Sequence, residues 1–175
     1  METEMKTQWN IDNAHSEIGF KVKHMMISTV SGSFRDFDAS VETNGDNFEN
    51  AQFEFKTRIA SISTKNEDRD NHLKSEDFFN IEKYPQMTFI SKSFDGEKIV
   101  GDLTIKDVTK EIALDADLNG VAVDPYGQTK AGFEITGKIN RKEFNLTWSA
   151  VTETGNVVVS DTVKLVIDLQ FIKEA

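Results

Sequence analysis

About eight runs of this chain alternate apolar and polar residues, and that period of two restricts them to half-buried antiparallel strands. Ile18, Phe20, Val22 and His24 share one face, with Glu17, Lys21 and Lys23 on the other. Val30, Gly32 and Phe34 continue on even positions, but Phe37, Ala39 and Val41 fall on odd ones. Side chains change face at every residue, so this switch of parity predicts a bulge or bend near Arg35-Asp36. Further runs begin at Phe53, Met87, Ile99, Ile112, Ala131 and Val163. Asn44-Gly45, Asp95-Gly96, a short turn around Asp107-Val108-Thr109, and Asp124-Pro125-Tyr126-Gly127 mark the reversals between them. The long connection from Asn140 to Ser160 holds Phe144, Trp148 and Val157-Val158-Val159, read as further irregular strand. The pattern predicts an all-β fold: an extended antiparallel barrel of about eight strands, since closure removes exposed edges. A two-sheet sandwich has the same period and is the alternative.

One stretch breaks the alternation. Thr64-Lys65-Asn66-Glu67 reads as a capping box, with Glu67 and Asp68 at the positive end of a helix dipole and Lys74 at the negative end. Asp70 and Lys74 are spaced as a favourable i,i+4 pair. The segment continues through Leu73 to Phe78-Phe79 and closes at Tyr84-Pro85. It is a short polar helical insert ending in two aromatics that must bury. Such an insert can plug one barrel end, serve as a lid over an apolar cavity, or do both.

Composition narrows the function. The chain has 175 residues, which suits one domain, here residues 9–175 with residues 1–8 as a flexible tail. Thirteen Phe against two Trp and two Tyr give much apolar surface without a polar handle, as packed core or as the wall of a cavity. A net charge of −10 argues against nucleic acid and against an anionic membrane surface. No segment has the apolar length for membrane insertion. There is no cysteine, hence neither disulfides nor thiolate chemistry. The first residues lack the apolar core of a signal peptide, which predicts a cytoplasmic protein, or a periplasmic or secreted one if a leader has been removed.

Chemistry is sparse. The three His, at positions 15, 24 and 72, have no metal-site spacing among them. Asp12, His15 and Ser16 have the residue types of a hydrolase triad but crowd into one turn, where side-chain hydrogen bonding is the simpler role. His24 shares a face with Phe20 and Val22, as a hydrogen-bonded core residue or as an anchor for a ligand's polar end. Arg69 and Arg141 either pair with acidic neighbours or meet an anionic head group. No phosphate loop is present. A Phe-rich barrel without a catalytic set points to a binder of an apolar molecule rather than an enzyme.

Several segments resemble the YceI-like family. They are Trp9-Asn10-Ile11-Asp12 through His15-Ser16, Phe20-Lys21-Val22-Lys23-His24, Gly32-Ser33-Phe34, Ser63-Thr64, Arg69-Asp70-Asn71-His72-Leu73, Asp77-Phe78-Phe79, Tyr84-Pro85, Val100-Gly101-Asp102-Leu103-Thr104-Ile105 and Ile139-Asn140-Arg141. The resemblance implies a lipocalin-like barrel, often a homodimer, with an apolar tunnel for a polyisoprenoid, an isoprenoid quinone or another long-chain lipid, and with no catalysis and no cofactor. It departs from the family at Asn145, where Gly often follows the aromatic residue; Asn tolerates the left-handed backbone such a turn needs. On this reading Phe20, Val22, Phe34, Phe55, Phe89, Leu103, Ile105 and Phe133 supply the walls, Leu73 and Phe78 close one end, and His24 is the polar anchor. The competing readings are a small hydrolase or isomerase using His15, His24 or His72, and a ligand-free interaction module with a solid core.

Overall fold

The computed structural model describes residues 6–25, 27–45, 47–148 and 159–174. Three long strands are each broken once. β1 (Lys6–Ile11) and β2 (Glu17–His24) are separated by a 3-10 turn at Asn13–His15. β3 (Ser28–Phe34) and β4 (Phe37–Asn44) are separated at Arg35-Asp36. β5 (Asn47–Arg58) and β6 (Ile62–Ser63) are separated by a 3-10 turn at Ile59–Ser61. α1 (Glu67–Lys74) follows. Then come β7 (Gln86–Phe94), β8 (Lys98–Ile105), β9 (Val108–Val123), β10 (Thr129–Asn140) and β11 (Val159–Lys173).

The halves remain aligned because each pairs with a half of its neighbour. β2 pairs with β3 and β1 with β4, while β3 pairs with β6 and β4 with β5, all antiparallel. Eleven segments therefore make an eight-stranded up-and-down meander. β11 closes it, pairing with β10 along one edge and with both β2 and β1 along the other. The parity switch at Arg35-Asp36 is thus a corner inside one long strand, where the chain leaves β2 and joins β1.

Turn chemistry fits. Asp95 Oδ1 accepts from the amides of Glu97 and Lys98, and Gly96 takes φ +97°. Asp124 Oδ1 accepts from the amides of Tyr126 and Gln128, and Gly127 takes φ +82°. The turn expected at Asp107-Val108-Thr109 lies slightly earlier: Ile105 pairs with Val108, and Lys106 carries the positive φ of 58°. Asn145 is left-handed at φ 61°, as its place in the turn requires, and its Nδ2 donates to Asp107 Oδ1.

Two expectations fail. Lys6, Thr7 and Gln8 are not tail: they pair with Asn44, Thr43 and Glu42. The alternation of Trp9 and Ile11 is too short to announce a strand, but the sheet supplies its partners. Residues 1–5 lie outside the described residues, as do Val157 and Val158. The capping box also differs. Asn66 is the N-cap, its side chain accepting from the Arg69 amide at 3.0 Å. Thr64 is buried, and Asp70 Oδ1 accepts from the Thr64 amide and hydroxyl at 2.8 and 2.6 Å rather than pairing with Lys74.

One end of the barrel is filled. The rings of Trp9, Phe48, Phe53, Phe94, Phe133 and Phe171 are all buried there. Phe133 is central, with centroids 5.3, 5.6, 6.5 and 6.0 Å from Phe48, Phe53, Phe94 and Phe171, all edge-on. Trp9 has the one polar handle in this cluster, and its Nε1 donates to Thr43 Oγ1 at 3.0 Å. Such edge-on packing is the favourable geometry for aromatic rings and leaves little void.

Candidate ligand cavity

The other end of the barrel is open inside. A cavity of about 150 Å³ lies between the aromatic floor and α1. Strand alternation brings Ile18, Phe20 and Val22 from β2, Phe55 and Thr57 from β5, Met87 and Phe89 from β7, and Leu103 and Ile105 from β8 to its wall. Phe55 and Phe89 stack there, 5.6 Å apart and 19° from parallel.

The cover comes from the insert. Arg69 fastens it: Nε donates to Thr64 Oγ1 and Nη2 to Thr64 O, both at 2.8 Å. With the Thr64–Asp70 bonds this ties the start of α1 to the end of β6. After the helix, the Phe79 amide returns to Leu73 O and turns Phe78 and Phe79 downward, where both are buried. Leu73, Phe78 and Phe79 line the cavity. Above Phe78 lie His72 and Trp148, with centroids 5.2 and 5.4 Å away. His72 Nε2 is 2.8 Å from Asp77 Oδ2.

Arg141 is 3% exposed and also lines the cavity, but its guanidinium is committed. Nη1 donates to Leu146 O and Trp148 O, both at 2.6 Å. Nε donates to Ser160 O at 2.9 Å and Nη2 to Val159 O at 3.3 Å. Burial lowers its pKa, and the charge of Asp161, 3.8 Å away, opposes that. Arg141 therefore holds together both sides of the connection between β10 and β11 and does not present a free charge. Arg69 is likewise occupied by Thr64.

Of the residues expected in the wall, Phe20, Val22, Phe34, Phe55, Leu73, Phe78, Phe89, Leu103 and Ile105 line this cavity; His24 and Phe133 do not. Phe133 faces inward as parity requires, but at the level of the packed floor. His24 ends β2, opposite Ser28 and Val159. The wall also includes Phe79, Leu146, Ile139 and Thr57, which the sequence reading does not place there, and Arg141, which it offers only for an anionic head group. Thr57 shares the parity of Phe55, the signal that would have found it.

The histidines are dispersed. His15 Nδ1 is 2.9 Å from Asp12 Oδ2 on an exposed turn, while Ser16 Oγ is engaged with the backbone of Gln170. Burial pushes the Asp12 carboxyl up, but the His15 hydrogen bond and the charges of His15 and Lys130 outweigh this and hold it below the usual carboxylate range. Among the described residues no cluster of three or more His, Asp or Glu could hold a metal ion, and no helix is long and apolar enough to cross a membrane.

A closed meander barrel with an apolar cavity under a helical cover is the architecture of the lipocalin-like proteins. The chain belongs to the YceI-like domain family, which matches residues 9–171. It is 41% identical over 166 residues to a UPF0312 protein of Staphylococcus aureus strain USA300, covering 94% of this chain and 97% of the relative. Among solved structures it is similar to the YceI protein of Campylobacter jejuni, with 38% identity, TM-score 0.75 and full coverage of both chains. The fold is shared with Burkholderia cenocepacia BcnA (TM-score 0.77, 22% identity, covering 91% of this chain and 98% of that one). It is shared too with a polyisoprenoid binding domain from Saccharophagus degradans (TM-score 0.67, 15% identity, covering 95% and 98%).

Proposed function

We propose that this protein binds, stores or carries a long-chain apolar ligand, a polyisoprenoid or isoprenoid quinone, without catalysis. The observation that carries the reading is the cavity itself, apolar on nearly every side and covered by a separately fastened insert. Burying a chain there gains about 0.8 kcal/mol per methylene before entropy costs. Its volume, about 150 Å³, is that of an engineered cavity that accepts benzene. A short prenyl segment therefore fits without rearrangement. A longer chain needs the half-buried Leu73, Met87 and Ile112 to move, or must leave past the insert with its tip against the aromatic floor.

The kinship with a polyisoprenoid binding domain supports the ligand class. A solid interior would have favoured an interaction module, and a His beside a carboxylate and a free nucleophile in an open pocket would have favoured an enzyme. The reading includes a homodimer, supported by the family resemblance and by Leu118, Val121, Val123 and Tyr126, exposed on the β9–β10 hairpin. Light scattering decides that point, and a monomer at working concentration removes it. The main test is organic extraction of the purified protein followed by lipid mass spectrometry, with titration of prenyl and acyl chains. An empty protein with no affinity for either would overturn the proposal.

A further inference from the structure

Three polar residues border the cavity: Thr57, Thr88 and Arg141. Thr88 alternates with Met87 and Phe89, which face inward, so its side chain belongs to the outer face of β7. The charge of Arg141 is already met by four carbonyl oxygens and Asp161. Thr57 is different. It is 3% exposed, follows Phe53 and Phe55 on the inward side of β5, and is flanked across the sheet by Phe37 and Met87. Its hydroxyl bonds to none of the described residues, yet its oxygen is not sealed in by packing. Thr57 lines the cavity, the space to which that oxygen can open.

A buried hydroxyl without a partner is costly, and valine has nearly the same shape. A site for pure hydrocarbon would be better served by valine. We infer that Thr57 reads one uncharged oxygen, a hydroxyl or a carbonyl, on the bound chain. Its hydroxyl donates to a carbonyl oxygen and can donate to or accept from an alcohol. A carboxylate would lose its hydration with no free cation to meet it, so the site discriminates against acids. Thr57 lies between the Phe55–Phe89 stack and the covered end, so the oxygen is read inside the barrel. The inference rests on the cavity being a ligand site.

The test uses geraniol, the hydrocarbon lacking only its hydroxyl, and geranic acid at neutral pH, titrated into wild type, Thr57→Val and Thr57→Ser. Thr57→Val should weaken geraniol binding about 3- to 10-fold, leave the hydrocarbon unchanged, and melt at or above the wild-type temperature without ligand. Thr57→Ser should keep the preference for the alcohol. Equal losses for alcohol and hydrocarbon would make Thr57 a packing residue. Unchanged geraniol binding, tighter binding of geranic acid than of geraniol, or a Thr57→Val protein that fails to fold would each overturn the assignment. If the hydrocarbon binds wild type, the cavity reading stands whatever Thr57 does. If none of the three binds, the cavity reading falls and the assignment with it.

Discussion

Replacing Phe78 with Ala separates a lid from a plug. The ring is 6% exposed, borders the cavity on one side, and contacts His72 and Trp148 on the other. Removing a buried Phe side chain costs about 3–5 kcal/mol. One side of this ring already faces empty space, so fewer contacts are lost and the low end, about 3 kcal/mol, is expected. For a chain of 175 residues that lowers the melting temperature by roughly 6–12 °C. The floor and strand walls are untouched, because Phe78 belongs to the segment that enters from outside the sheet. If the ring bars the exit, a fluorescent prenyl analogue should leave at least about tenfold faster, the equivalent of ~1.4 kcal/mol on the exit barrier. Entry should also quicken, so the dissociation constant changes less than either rate. Stopped-flow release beside a melting curve gives both quantities. A variant that melts early but releases the analogue at the wild-type rate would show that Phe78 only plugs the end.

Three further outcomes follow from named contacts. A Cβ on Gly32 would come within 2.3–2.9 Å of the Phe20 ring, so Gly32→Ala should fold but drive Phe20 into the cavity, reducing prenyl affinity several-fold in titration; unchanged affinity refutes this. Arg141→Lys cannot reach carbonyls on both sides of the β10–β11 connection. Losing two charge-assisted hydrogen bonds should cost about 3 kcal/mol or more, and an unshifted urea midpoint would contradict that. Asp124 is held below the usual range by the Gln128 amide, against burial, with help from Lys130, which also faces Asp12. Carboxylates lowered in the fold bind fewer protons than in the unfolded chain. Their contribution is therefore complete above the unfolded pKa of about 3.9 and is lost as pH falls through the lower native values. Lys130→Met should shrink the loss of stability below about pH 4, as followed by denaturation at several pH values, and an acid limb identical to wild type would rule this out.

Most of the barrel could be read from alternation. Parity located the long strands and the corner at Arg35-Asp36, because a single skipped residue reverses every side chain after it. Turn residues set the reversals at Asn44-Gly45, Asp95-Gly96 and Asp124–Gly127. The start of the helix is ambiguous in the sequence for a physical reason. Thr64 and Asn66 are both capping residues, and only the burial of Thr64 against Asp70 decides that Asn66 caps. Trp9 and Ile11 are legible as a family motif but not as a strand, since their pairing partners, Val41 on β4 and Lys173 and Phe171 on β11, are distant in the chain.

What parity could not reveal is depth. Phe55, Phe89 and Phe133 all point inward, and a one-dimensional pattern gives them equal claim to a ligand. The difference lies in what stands opposite each ring. Phe133 meets Phe48, Phe53, Phe94 and Phe171 edge-on and fills its level of the barrel. Phe55 and Phe89 stack on each other along the wall and leave the space in front of them open. The contacts of Phe133 join residues from β5, β7, β10 and β11, which come together only on closure. The same closure gives the halves distinct mechanical roles. The packed end is continuous with the sheet and sets how deep a chain can enter. The covered end is held by side-chain bonds from Arg69, Asp70 and Arg141, which can be altered without breaking a strand. Changes at the floor should therefore act on ligand length, and changes at the cover on exchange rate.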